Sequence, residues 1–309
     1  AGFPAPTVVD AQAEPDPDFP TVAFPNPEEP GAMDLAFRTA AGAGADLVIA
    51  NDPDADRCAV AVPDPSAPTG WRMLRGDEVG ALLGIEAARR AGGSGVLATT
   101  IVSSSLLRPV AAKHGLAYAE TLTGFKWLAR VPDLAFAYEE ALGYCVDPDG
   151  VRDKDGVTAA LMVAELAAAA KRDGRTLLDL LDAVAIEYGL HATDQYAVRV
   201  DRLELIADGM ARLRATPPTA LGDLAVTRID DLAEGSADLP PTDGLRYTLA
   251  GAADVASARI VVRPSGTEPK LKGYLQVVVP VHSQVAEARC VAAATLAALK
   301  RDLAAALGM

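Results

Sequence analysis

Cysteine is nearly absent. Cys58, Cys145 and Cys290 are the only three in 309 residues, odd in number, far apart and without a CxxC pair. That argues against a disulfide framework, fits a reducing compartment and leads to the expectation of a cytoplasmic protein. Positive charge is also scarce: 28 Lys and Arg stand against 42 Asp and Glu, a formal net charge of −14. Such a surface repels polyanions, so neither nucleic acid nor an anionic membrane is expected as a partner, and any phosphate site must be a local basic exception. Long apolar runs are missing too; the apolar stretches are Ala-rich and broken by charge, so none reads as membrane-spanning. The chain opens without an initiator Met and without a basic region leading into an apolar one, so no signal peptide is read and a start inside a longer protein is expected. His114, His191 and His282 lack metal spacing, and Ser103, Ser104 and Ser105 lack a Gly-x-Ser-x-Gly elbow, which argues against a His-based metal site and a serine hydrolase.

What is present is a chain half apolar by residue count, long enough for two or three domains and able to bury about three quarters of its unfolded surface. Residues 1–33 are dense in Pro and Asp and read as extended or loop structure. A helix is expected over 33–43, then a short continuous apolar strand over 46–50 of the kind buried on both faces at the centre of a sheet, then a strand over 58–62. Asp77 is placed to cap a helix with Val79, Leu82, Leu83 and Ala87 on its apolar face. From there strands (95–102, 117–120, 134–138) alternate with helices up to 187, the rhythm of a mostly parallel sheet covered by helices on both faces. After 195 the strands outnumber the helices, and a terminal helix over 283–307 closes an α+β region with an antiparallel sheet. The fold class expected is therefore mixed, mostly parallel three-layer α/β units followed by a C-terminal α+β domain.

Chemistry concentrates in a few places. Asp52, Asp54 and Asp56 alternate in a loop after an apolar strand, the edge at which open α/β sheets bind ligands. Three carboxylates that close repel one another, and a hard divalent cation relieves the repulsion; all-oxygen ligands near a phosphate favour Mg²⁺. A solvated acidic turn is the plainer alternative. An EF-hand fits poorly, because its sixth position needs Gly and Arg57 stands there. Arg263, Ser265, Gly266, Thr267 and Lys270 lie between two strands and supply a guanidinium fork, two hydroxyls, a small residue permitting close approach and an ammonium, a set suited to a phosphate. A Pro-Ser-Gly turn with no ligand is the competing reading there. Glu139 and Glu140 follow another apolar strand and either accept hydrogen bonds from sugar hydroxyls or are merely solvated, while Lys126 and Lys154 stand at or just before helix starts, with solvated surface lysines as the plainer reading.

Taken in order, Asp-Pro-Asp-Ala-Asp-Arg at 52–57, Thr-Gly-Phe-Lys-Trp at 123–127, Tyr-Glu-Glu-Ala-Leu-Gly at 138–143, Arg-Asp-Lys-Asp-Gly at 152–156 and Arg-Pro-Ser-Gly-Thr-Glu-Pro at 263–269 resemble the motifs of the α-D-phosphohexomutase family. The segment 24–32 is similar to the stretch before that family's metal loop. The resemblance implies a partial α/β domain with the metal loop over 1–66, an α/β sugar-recognition domain over 67–190 and an α+β phosphate-binding domain over 191–309. It implies a hexose 1-phosphate converted into its 6-phosphate through hexose 1,6-bisphosphate, with one Mg²⁺ on Asp52, Asp54 and Asp56. Arg57 would add positive charge, Glu139 would read sugar hydroxyls, and Arg263, Ser265, Gly266, Thr267 and Lys270 would hold the phosphate that is not reacting. Lys126 or Lys154 would move the hydroxyl proton. Ala141 stands where the family commonly has Ser, so one sugar contact is lost or replaced. No Ser of this chain sits in the family's phosphoserine loop, so the domain supplying it is expected N-terminal to Ala1. The expected partner is a small phosphosugar. A non-catalytic phosphosugar-binding fragment, a pentose-phosphate mutase and a Mg²⁺-dependent phosphatase are the alternatives.

Overall fold

The computed structural model describes residues 2–236, 239–266 and 269–309. They gather into two compact units. The first comprises 1–99, 110–119 and 124–181, and the second comprises 100–109, 120–123 and 182–309.

In the first unit, helix α1 (Asp34–Ala43) ends on Gly44 at φ 60°, a left-handed stop that glycine takes without a Cβ penalty. Strands β1 (Val48–Ala50), β2 (Ala59–Pro63) and β3 (Trp71–Met73) follow as an antiparallel sheet in chain order, with Ala50 opposite Ala59 and Ala61 opposite Met73. The expected central strand is thus an edge strand, and the centre is β2, buried from Ala59 to Val62. The apolar run before the Asp loop looked like a two-faced parallel strand because a three-residue edge shows no period; the loop then turns the chain straight back against it. Phe37 stacks on Trp71 with ring centroids 6.4 Å apart, fastening α1 to β3.

A second sheet, in the order β5-β4-β6-β7, is formed by β4 (Val96–Thr100), β5 (Ala117–Thr121), β6 (Leu134–Glu139) and β7 (Gly143–Cys145). Strands β4 and β6 are parallel, and β7 returns antiparallel through a tight turn with Leu142 at φ 65°. The helices in this stretch of chain are α2 (Gly76–Arg90), α3 (Leu107–His114), α4 (Phe125–Leu128), α5 (Gly156–Arg172) and α6 (Leu177–Tyr188). Helix α2 lies directly on β6: a methyl group at Gly80 would fall 2.5 Å from the Tyr138 ring, and the Tyr138 hydroxyl donates to Asp77 at 2.9 Å. Asp77, expected as the cap, is instead the helix's second residue, and Glu78 accepts from the Arg75 backbone N–H at 2.9 Å.

The second unit carries a six-stranded antiparallel sheet in the order β8-β13-β12-β11-β10-β9. Its strands are β8 (Leu190–Arg199), β9 (Ala220–Leu221), β10 (Leu224–Asp231), β11 (Leu245–Ala252), β12 (Val255–Pro264) and β13 (Lys270–Val279). Helices α7 (Glu204–Ala215) and α8 (Val285–Leu307) complete it. Buried residues recur along α8 at Ala288, Ala292, Leu296, Leu299, Leu303 and Leu307, the three-to-four spacing of a single helical face, and join Met210, Tyr247, Ile260 and Leu275 in the core. The mixed α/β and antiparallel α+β parts match the expected fold class.

Polar contacts also hold this unit. The buried Gln276 accepts from the Ser105 N–H at 3.0 Å and donates to Ser105 Oγ at 2.6 Å and His191 Nδ1 at 3.1 Å. Burial, first of all, pulls the His191 pKa down to about 4, with the Arg259 charge adding to it. Glu120 meets Arg259 at 3.2 Å, Arg108 at 3.4 Å and Arg246 at 3.6 Å. No helix among the described residues is long and apolar enough to cross a membrane.

Candidate active site

The loop 51–58 joins β1 to β2 and folds back on itself. The Ala55 N–H donates to the Asp52 carbonyl at 3.0 Å, and Ala55 takes φ 57° to make the turn. The Arg57 N–H donates to Asp52 Oδ1 at 3.0 Å, and Arg57 Nε lies 3.6 Å from Asp52 Oδ2 and 3.9 Å from Asp56 Oδ1. Asp52, Asp54 and Asp56 each offer a carboxylate oxygen within 4.8 Å of the others. Burial raises the pKa of Asp52 above its ordinary value, the Asp56 and Asp54 charges push the same way, and the Arg57 N–H opposes them. Among the described residues, Asp56 Oδ1 is buried without a hydrogen-bond partner. An oxygen-only set of three carboxylates, one oxygen buried and unsatisfied, fits a hard divalent cation.

Residues distant in sequence complete the cluster. Lys154 Nζ forms an ion pair with Asp56, and a methyl group at Gly143 would strike the Lys154 stem at 2.7 Å and Glu139 Cγ at 3.0 Å. Glu139, the last residue of β6, is half-buried; desolvation raises its pKa, while Lys154, Arg57 and the Gly124 N–H act against that rise. The Cys58 N–H donates to the Leu142 carbonyl at 3.0 Å, seating the Asp loop on the β6–β7 turn that also carries the half-buried Ala141. Asp52, Asp54, Asp56, Arg57, Glu139 and Lys154 therefore form a single group of alternating charge. Lys126 is not paired within it: it is exposed on α4 with Nζ 5.8 Å from the Trp127 ring centroid.

The expected phosphate residues belong to the second unit. Arg263 is on β12, Lys270 begins β13, and between them the Ser265 N–H donates to the Lys270 carbonyl at 2.8 Å, with Gly266 exposed at the turn. Thr267 lies outside the described residues. The register adds two cations that local reading missed. Arg263 is opposite Lys272 and Lys270 is opposite Arg199, so the two-residue period of neighbouring strands puts Arg199, Lys270, Lys272 and Arg263 on one face. Like charges directly opposite one another cost stability unless an anion lies between them. Alternation of Lys270 and Lys272 was the available signal; the pairing with β8 was not.

The comparisons with known proteins agree with this arrangement. The family description "Phosphoglucomutase/phosphomannomutase, alpha/beta/alpha domain II" matches residues 1–66, and that of domain III of the same family matches residues 75–188. A probable phosphomannomutase of Haemophilus influenzae is 45% identical over 276 residues, covering 89% of this chain and 55% of that protein. A phosphopentomutase of Homo sapiens is 38% identical over 310 residues (89% and 49%), and a phosphoglucomutase of Staphylococcus aureus is 32% identical over 297 residues (91% and 53%). The chain thus spans about half the length of the curated relatives it matches. Among solved structures, a phosphoglucomutase (parafusin) from Paramecium superposes with a TM-score of 0.66 at 19% identity, covering 93% of this chain and 51% of that one, a likeness of fold. With both domain descriptions matched in order over more than half of its residues, the chain belongs to the phosphoglucomutase/phosphomannomutase family.

Proposed function

We propose that this chain carries the metal, sugar-recognition and remote-phosphate parts of a cytoplasmic phosphosugar mutase, an enzyme that interconverts a sugar 1-phosphate and its terminal phosphate ester through a bisphosphate. One observation carries the reading: carboxylates 52, 54 and 56, Arg57, Lys154 and Glu139 converge from three separated segments into one cluster. Asp52, Asp54 and Asp56 would hold a single Mg²⁺, which supplies charge stabilisation to a transferring phosphoryl group. Lys154, paired to Asp56, keeps a fixed positive charge beside that loop. Glu139 accepts from sugar hydroxyls, and its partial burial strengthens each such bond. Lys126, on the helix that follows Gly124, whose N–H donates to Glu139, or Lys154 would exchange the sugar hydroxyl's proton. Arg263, Ser265, Gly266, Thr267 and Lys270 grip the non-reacting phosphate and hold the sugar for in-line transfer, with Lys272 and Arg199 on the sheet face of Arg263 and Lys270 adding charge. The phosphoryl-carrying serine belongs to a domain preceding residue 1, and the division into 1–66, 67–190 and 191–309 follows from the same reading.

A hexose is the first candidate. A pentose phosphate is the second, favoured by the 38% identity to a phosphopentomutase and by Ala141, which offers a sugar no hydroxyl. Glucose 1,6-bisphosphate and ribose 1,5-bisphosphate titrated calorimetrically into the 309-residue chain with Mg²⁺ rank the two. The longer gene product, assayed with each 1-phosphate, should isomerise the sugar whose bisphosphate binds more tightly. Absence of isomerisation by the longer product with either sugar overturns the mutase reading.

A further inference from the structure

The Asp loop does not set its own shape. The N-terminus of α5 presses against it at Gly156, whose N–H donates to the Ala55 carbonyl at 3.0 Å, and Asn51 Nδ2 donates to the Arg57 carbonyl at 2.6 Å. A methyl group at Gly156 would overlap the Arg57 carbonyl oxygen and would fall 2.5 Å from Asn51 Nδ2 and 2.7 Å from the Ala55 carbonyl oxygen. Two of those three atoms are loop backbone, which cannot swing aside as a flexible side-chain end can. Gly156 is not in the left-handed region, so its backbone angles do not demand glycine; the space does. The three groups it touches alternate with, or neighbour, the three carboxylates: 51, 55 and 57 against 52, 54 and 56. Holding the first set fixes the curvature that turns the second toward a common point.

We propose that Gly156 and Asn51 are positioning residues for the divalent-cation site. They act on the backbone between its ligands without touching the ion, and the residue after the Arg-Asp-Lys-Asp stretch sets metal affinity through shape. The proposal rests on the metal-site reading above.

Mn²⁺ binding to the 309-residue chain, followed by electron paramagnetic resonance of the free ion and by calorimetry, tests it with four variants. Asp54→Asn removes a ligand. Gly156→Ala and Asn51→Ala alter only the clamp. Gly42→Ala, in α1 with open space around it, controls for a glycine-to-alanine change in a helix. Expected are about tenfold or greater losses in Mn²⁺ affinity for Gly156→Ala and Asn51→Ala, parent-like binding by Gly42→Ala, and unchanged far-ultraviolet circular dichroism throughout. Parent-like Mn²⁺ binding by folded Gly156→Ala and Asn51→Ala, together with a loss for Asp54→Asn, overturns the positioning role and leaves the metal site standing. Should Gly156→Ala not fold, Asn51→Ala decides alone: weakened binding supports the role and parent-like binding ends it. If Asp54→Asn binds as tightly as the parent, or the parent binds no Mn²⁺, the metal-site reading falls and the positioning role falls with it.

Discussion

Lys154 pairs with Asp56 from 98 residues away, and that single contact marks the limit of local reading. Asp52, Asp54 and Asp56 were legible as a group because they alternate within five residues of sequence, and Glu139 because it ends an apolar strand. Asn51 and Gly156 were not, since an Asn before an Asp and a Gly after one are ordinary turn and cap residues until their packing is known. His191 is a second residue whose character comes from its surroundings. The sequence offered no metal spacing for it, and the fold gives it Gln276 and Ser105 as neighbours, with the Tyr188 backbone as a further hydrogen-bond partner and the Arg259 charge nearby. With its folded pKa near 4 and an ordinary value of 6.5 when unfolded, the unfolded chain binds the proton more readily between those values. Stability tied to His191 is present above pH 6.5, is lost as the pH falls toward 4, and changes no further below that. Urea unfolding of the parent against His191→Gln across that window should show the parent losing up to about 3 kcal/mol more than the variant. Parallel pH profiles would rule out a buried neutral His191.

At the scale of elements, α2 and β6 meet through the absence of a side chain. Gly80→Ala gains up to about 1 kcal/mol of helix propensity. It also drives a methyl into the fully buried Tyr138 ring, an overpacking that costs about 1–3 kcal/mol. Since the buried ring is tied down by its hydroxyl, which donates to Asp77, overpacking should win, and the melting temperature should fall. The β12–β13 hairpin makes a different point. Its turn was readable from Pro-Ser-Gly, but the cation face was not, because strand register is a property of pairs. Lys272→Ala should weaken glucose 1,6-bisphosphate binding about tenfold in calorimetry, whereas Lys272→Arg should retain it. Equal affinities for the parent and Lys272→Ala would place the phosphate elsewhere. The strand before the Asp loop shows the opposite failure: its composition was read correctly, and its place in the sheet was not, because three apolar residues carry no information about what lies on either side.

For the whole molecule, the alternation of strands and helices up to about residue 188 and the strand-rich remainder were visible in periodicity alone; the parallel β4–β6 pair falls before that division and the six-stranded antiparallel sheet after it, while the antiparallel pairing of β1, β2 and β3 was not visible. What periodicity could not show is where compactness begins and ends. Glu120 is 14% exposed and receives Arg259 at 16% and Arg246 at 20%, while Arg108 is 62% exposed. Removing a carboxylate from a mostly desolvated group leaves uncompensated charge, so Glu120→Ala should cost about 3 kcal/mol in urea unfolding. Arg108→Ala, which deletes a solvated partner, should cost under about 1 kcal/mol. Similar small losses for both would mean that the cluster is screened by water.

The Gln276 hub has a consequence for how this polypeptide tolerates being divided. Its partners are Ser105 and Arg259, which donates to Gln276 Oε1 at 3.2 Å and also holds Glu120; Ser105 and Glu120 come from stretches more than a hundred residues upstream, so the C-terminal sheet is a discontinuous folding unit. Excising 190–309 as an autonomous fragment would strip Gln276, Arg246 and Arg259 of those upstream partners. That fragment should show broadened amide resonances and bind a hydrophobic dye, whereas the 309-residue chain should give sharp, dispersed signals.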